Sequence, residues 1–202
     1  SALPGPGKAA PAVSLPDLPG EGPRPPFVWP SQMAVIKSDA YGHGHIRVGA
    51  ALIKEGATLF ASGSVQEAVA FRKGLADLPA ELRPGADRHI AVMSLLGLIG
   101  REDVFLCADN GIIPMVHSFE QLGMIEGTHR PLAIAIKCNT GMSRLGFNED
   151  ELRDLIERLR KLPSVTPVIP MSPLHSADTD TGAAHLPSPG TVSNRLLAAL
   201  HP

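Results

Sequence analysis

Between residues 33 and 171, six short apolar runs alternate with segments that carry helix-start and helix-stop signals, and this alternation constrains the fold more than any other feature. The runs are Met33 to Ile36, Thr58 to Ala61, Ile90 to Leu96, Ile112 to Val116, Leu132 to Lys137 and Val165 to Met171. Between them, His45 to Glu55 predicts a helix with Ile46, Ala50 and Ile53 on one face, closed by Gly56. Ser64-Val65-Gln66-Glu67 is a capping box opening a helix that stops at Gly74, and Ser118-Phe119-Glu120-Gln121 is a second box. Arg101 to Ala108 predicts a short helix ended by Asn110-Gly111, and Asn148 opens a helix to Lys161 on a stripe of Leu152, Leu155, Ile156 and Leu159. Ala76 to Arg88 reads as a loop, and Thr191 to Leu200 as a last helix. Strands separated by helices mean βαβ units and a parallel sheet. The prediction is an α/β fold, a parallel βα barrel of the TIM type, incomplete at about six of the eight βα units. Such an arc leaves two unpaired edges. Pro167 and Pro170 in the sixth run are unfavourable inside a sheet.

The first thirty residues behave differently. Nine are proline and four are glycine, too many for a helix and with too few apolar side chains to offset ordering entropy. The sequence therefore divides into a Pro-rich tail, 1–32, and a barrel domain, 33–202. At 202 residues the chain falls short of the about 250 typical of a closed eight-stranded barrel.

Composition excludes several function classes. A net charge of -2 with no basic block argues against nucleic-acid binding. No run approaches the 18 or so apolar residues a membrane span needs, and no secretory signal opens the chain, so a cytoplasmic location is expected. Cys107 and Cys138 are too few for a disulfide framework, fit a reducing compartment and read as packing residues.

The chemistry gathers at two strand ends. Ala34-Val35-Ile36-Lys37-Ser38-Asp39-Ala40-Tyr41-Gly42-His43-Gly44 runs from a strand straight into a glycine-rich turn. In a βα barrel the C-terminal ends of the strands face the active site. A lysine buried there would have its ammonium pKa lowered, leaving a free amine able to attack an aldehyde, so Lys37 is a candidate Schiff-base lysine. His43 and His45 lie two apart with no matching carboxylate or thiol and do not read as a metal site. The second stretch, Lys137-Cys138-Asn139-Thr140-Gly141-Met142-Ser143-Arg144-Leu145-Gly146-Phe147, leaves the fifth strand on the same face. It presents Arg144 in a loop between glycines, suited to an oxyanion.

Both stretches resemble the alanine racemases. Ala-Val-Ile-Lys-Ser-Asp-Ala-Tyr-Gly-His-Gly is similar to that family's pyridoxal-phosphate lysine motif, and Thr-Gly-Met-x-Arg-Leu-Gly to its second signature. The resemblance implies a pyridoxal 5'-phosphate enzyme, a racemase interconverting L- and D-alanine to supply D-alanine for the cell wall peptidoglycan, and a homodimer in the complete protein. It implies that Lys37 holds the cofactor and acts as one base, Tyr41 lies near its phosphate, and Arg144 contacts its phenolic oxygen. Lys137 stands where many racemases carry a carbamylated lysine holding that arginine, and Asn139 stands where most carry Asp. His175 lies two residues beyond the position at which the family's histidine supports an arginine at the ring nitrogen. The family's second base and its β-rich second domain have no counterpart in this sequence. The alternative is a non-catalytic pyridoxal-phosphate-binding barrel protein of cofactor homeostasis. Its single domain matches the length, but the Asp-Ala-Tyr-Gly-His-Gly continuation fits the racemases better.

Overall fold

The computed structural model describes residues 33–79, 89–139 and 144–171. The tail at 1–32, His175 and the helix expected at 191–200 lie outside the described residues.

Six parallel strands form one sheet in sequence order: β1 (Ala34–Val35), β2 (Leu59–Ser62), β3 (Ala91–Ser94), β4 (Ile112–Val116), β5 (Leu132–Lys137) and β6 (Val165–Met171). Each strand pairs in parallel with the next, so every connection returns the chain to the same end of the sheet. That is the expected arc of βα units, with all strand C-termini on one edge. Helices make the returns: α1 (Lys37–Gly42) and α2 (His45–Lys54) after β1, α3 (Val65–Ala76), α4 (Arg101–Asn110), α5 (Phe119–Ile125), and a 3-10 turn Glu149–Glu151 leading into α6 (Leu152–Leu159). Among the described residues no helix is long and apolar enough to cross a membrane.

The period of two along each strand sorts side chains between two apolar clusters. Phe60, Val92, Ile112, Val116, Leu132, Ile134 and Ile136 turn to the helices, while Leu59, Ala61, Met93, Ile113, Met115 and Ala135 form the other face. Phe60 and Phe71 anchor the helix side, both fully buried with ring centroids 5.1 Å apart. Truncating Phe71 to alanine there would remove about 3 to 5 kcal/mol. Gly49 of α2 sits against the same ring, and a Cβ on it would lie 2.4 Å from Phe71 Cε2.

Helix ends depart from the expectations in informative ways. α3 does not stop at Gly74 but runs to Ala76. A Cβ at Gly74 would lie 2.2 Å from Ile46 Cδ1, so this glycine lets α2 and α3 approach rather than ending the helix. Ser64 and Ser118 cap as expected, accepting from the N–H groups of Glu67 and Gln121. The return bonds of the two boxes go elsewhere: Glu67 reaches Gly63 and Ser38, and Gln121 accepts from the His117 N–H. α4 extends to Asn110 and closes on Gly111 at φ 60, ψ 37, the left-handed conformation glycine adopts without penalty. In β6 the pairing steps from Ile134↔Pro167 to Ala135↔Ile169, a bulge of one residue. Pro167 and Pro170 are accommodated because β6 is an edge among the described strands.

Candidate active site

Lys37 follows the last residue of the β1 ladder, where the Ile36 N–H still donates to Ala61 O at 2.7 Å. Ala34 and Ile36 pack on the helix side, so alternation turns Val35 to the opposite face, where Met33 joins the second cluster, and Ile36 at ψ 21 ends the alternation before Lys37. Lys37 is exposed. The burial expected of this strand end is therefore absent at Lys37, where the chain has already left β1 for α1. Its amine lies 5.8 Å from the centroid of the Tyr41 ring, within cation–π range, and Tyr41 itself is 60% exposed.

The chain after Lys37 is a left-handed helical turn rather than a simple glycine turn. Ser38, Asp39, Ala40 and Tyr41 have φ between 51 and 55 and ψ between 37 and 51, and Gly42 and Gly44 follow at φ 82 and 87. A left-handed residue other than glycine costs roughly 1 to 2 kcal/mol, so four in a row persist only if the surroundings hold them. The Ala40 N–H donates to Ile36 O and the Gly44 N–H to Asp39 O, each at 2.9 Å. Asp39 Oδ1 accepts from the His45 N–H at 2.7 Å and from His45 Nδ1 at 2.5 Å, which holds the Asp39 carboxyl below its ordinary pKa. His43 Nδ1 donates to Ala40 O at 3.1 Å. Both histidines thus serve the turn. Among the described residues no three His, Cys, Asp or Glu gather as a metal would require.

The second stretch is pinched at its neck. The Phe147 N–H donates to Lys137 O at 2.9 Å and the Asn139 N–H to Phe147 O at 2.8 Å, pairing the two ends of the Arg144 loop. Gly146 makes this approach feasible: at φ 122, a Cβ there would lie 2.9 Å from Asn139 N and 3.0 Å from Lys137 O. Lys137 alternates with Ala133 and Ala135 toward the second cluster. Burial, and then the charge of Arg144, push its ammonium pKa down. Asn139 Nδ2 donates to Asn148 Oδ1 at 2.9 Å. The two cysteines are buried, and burial pushes the Cys138 thiol up to about 11 and the Cys107 thiol up to about 12, in keeping with packing roles.

Lys37 is thereby brought to Tyr41, and Lys137 to Arg144, with both lysines at strand C-termini on one edge of one sheet. His175 lies outside the described residues. Residues that the linear reading left without a site role are Glu67, Gly63 and Asp39, which hold the lysine turn, and Gly146, which closes the arginine loop. Asp39 and Gly146 lie inside the two motifs and Glu67 inside a capping box, but nothing in the linear sequence pairs Glu67 with Ser38 or Asp39 with His45.

A parallel βα sheet with strands in sequence order, a lysine just past one strand end and an arginine loop at the same end of another defines a barrel-type α/β protein. The model of the alanine racemase N-terminal domain matches residues 29–196, and the chain belongs to that family through this barrel domain. It is 42% identical over 196 residues to an alanine racemase of Nitratidesulfovibrio vulgaris strain DP4, covering 96% of this chain and 49% of the relative. It is 35% identical to that of Cupriavidus necator, covering 84% of this chain and 45% of the relative. Among solved structures, the biosynthetic alanine racemase of Pseudomonas aeruginosa matches with TM-score 0.62 and 27% identity, over 83% of this chain and 42% of that one. The alanine racemase of Bartonella henselae, a structure with covalently bound pyridoxal phosphate, shares the fold with TM-score 0.64 at 24% identity, over 85% of this chain and 47% of that one. The chain spans about half the length of the relatives it matches.

Proposed function

We propose that this chain is the cofactor-holding barrel domain of a pyridoxal-phosphate-dependent alanine racemase, with Lys37 as the residue that binds the cofactor. The observation that carries the reading is the placement of Lys37: it opens α1 just past the C-terminal end of β1, exposed, with its amine 5.8 Å from the Tyr41 ring. That donor fits an aldehyde cofactor, since a neutral amine can add to the aldehyde carbon and release water. Tyr41, largely exposed beside the amine, has a hydroxyl free to donate to the phosphate, and Arg144 offers a guanidinium to the phenolic oxygen. When bound, the cofactor withdraws electrons from the substrate's α-carbon, so that its proton becomes acidic. Lys37 takes that proton, or gives one back, on one face of the substrate. Racemisation requires a second base on the opposite face, and none is assigned among the described residues. The substrate, L- or D-alanine, the homodimer and a cytoplasmic role in D-alanine supply belong to this same proposal.

Lys137 is read as a carbamylated lysine. The lowered ammonium pKa raises the share of neutral amine, which can add to carbon dioxide with release of one proton. The product carries negative charge, so the repulsion between Lys137 and Arg144 would become an attraction. The cofactor reading is tested by incubating the protein with pyridoxal phosphate, reducing with borohydride and mapping the labelled peptide. Label on Lys37, lost in Lys37→Ala, is expected, and label on another lysine would refute it.

A further inference from the structure

We propose that Glu67 is the positioning residue for Lys37, its carboxylate reaching from α3 to fix the left-handed turn from which the lysine projects. This rests on Lys37 being the cofactor lysine. One carboxylate takes N–H groups from two separate segments: Oε2 accepts from Gly63 at 2.8 Å, just past the end of β2, and Oε1 from Ser38 at 3.3 Å, the residue after Lys37. The capping of α3 does not require it, because Ser64 Oγ already accepts from the Glu67 N–H at 3.2 Å. Space for the carboxylate is kept by Gly63. A Cβ on that glycine would lie 2.9 Å from Glu67 Oε2 and 3.6 Å from Lys37 Cβ, so glycine, carboxylate and lysine meet at one point.

A hold is needed there because Ser38 opens the run of four left-handed residues, each uphill for a side chain other than glycine. Asp39 secures the far end of the turn through His45, and Glu67 secures the near end through Ser38. With the Ser38 amide released, the near end of the turn is free to relax and the direction in which Lys37 leaves β1 changes with it. Glu67 does not touch the reacting atoms in this scheme. It acts through the backbone.

The test compares Glu67→Gln, Glu67→Ala and Ser64→Ala with the unsubstituted 202-residue chain. Hydrogen exchange at the Ser38 and Gly63 amides is read by NMR without cofactor, and the rate of borohydride-trapped pyridoxal-phosphate labelling at Lys37 is read by peptide mapping. Glutamine keeps the volume but leaves one acceptor oxygen for two amides, and the longer bond, to Ser38, is the one to give way, so this variant decides the matter if alanine prevents folding. Both Glu67 variants should exchange the Ser38 amide about tenfold faster or more, the size expected for losing a charged acceptor, and label Lys37 correspondingly more slowly. Ser64→Ala, which weakens only the cap of α3, should move neither. Unchanged exchange and labelling in the Glu67 variants would overturn the proposal, as would the same losses in Ser64→Ala, which would reduce Glu67 to a helix cap. Label on another lysine in the unsubstituted chain, with Ser38 exchange still dependent on Glu67, would overturn the cofactor role of Lys37 and the positioning claim with it.

Discussion

Replacing Ser38 with glycine should stabilise this protein, although the same kind of change within an ordinary helix weakens it. Ser38 has φ 51 and ψ 51, is exposed, and meets Glu67 through its backbone N–H, which a glycine retains. Relief of the left-handed backbone contributes roughly 1 to 2 kcal/mol. The greater freedom of glycine in the unfolded chain offsets roughly 0.5 to 1 kcal/mol of this. The net gain is about 0.5 to 1 kcal/mol, or about 1 to 4 °C in Tm for a chain of this size. Ala70 supplies the contrast, being exposed within the right-handed helix α3. Ala70→Gly should lose roughly 0.5 to 1 kcal/mol, giving shifts of opposite sign at two exposed positions. Urea unfolding followed by circular dichroism, with thermal melts, reads both. If Ser38→Gly destabilises as much as Ala70→Gly, the turn after Lys37 is not left-handed and the need for Glu67 and Asp39 to hold it disappears.

Gly146→Ala forces a Cβ to 2.9 Å from Asn139 N and breaks the pairing at the neck of the Arg144 loop; a loss of about 2 to 4 kcal/mol in urea is expected, and an unchanged midpoint would refute the close approach. Lys137 has a lowered pKa in the folded state, so between that value and the ordinary 10.5 the unfolded chain binds more protons and stability from this group rises with pH. Lys137→Gln should flatten that rise in unfolding titrations of carbon-dioxide-free samples, and an identical pH profile would contradict the burial and Arg144 effects. The 202 residues alone should exchange the α-proton of L-alanine with D₂O slowly, in a Lys37-dependent way, without robust D-alanine formation. No second base is assigned among the described residues, and missing one costs a factor of about 10² to 10⁴; rapid D-alanine production in a D-amino-acid oxidase assay would show that a second base is present.

How much of this was legible in the linear chain depends on the range of the interaction. Ile112–Val116, Leu132–Lys137 and Val165–Met171 have the bounds their apolar runs predict, and in Ile112–Val116, buried at every residue, the reason is that a strand covered on both faces of a parallel sheet is apolar throughout. Ser64 and Ser118 were readable as caps because a cap is satisfied within three residues. Gly74 misled for the opposite reason: its partner is Ile46, twenty-eight residues earlier and on another helix, so a helix-ending residue became a helix-packing one. The burial inferred for Lys37 failed similarly, since a strand end becomes buried only if something covers it.

By itself the sequence determined the α/β class, the order of the six βα units and the two motifs that tie the chain to the alanine racemases, because alternation, caps and motif spacing are local properties of the chain. The tertiary structure decided what holds those motifs. It showed the left-handed turn after Lys37, the grip of Glu67 on Ser38 across twenty-nine residues, the Asp39–His45 clasp and the neck closed at Gly146. Carboxylates and glycines of these kinds occur all along the chain. Only folding brings a particular carboxylate within hydrogen-bond reach of a particular amide, and at ordinary bond lengths near 3 Å no local pattern encodes which pair will meet.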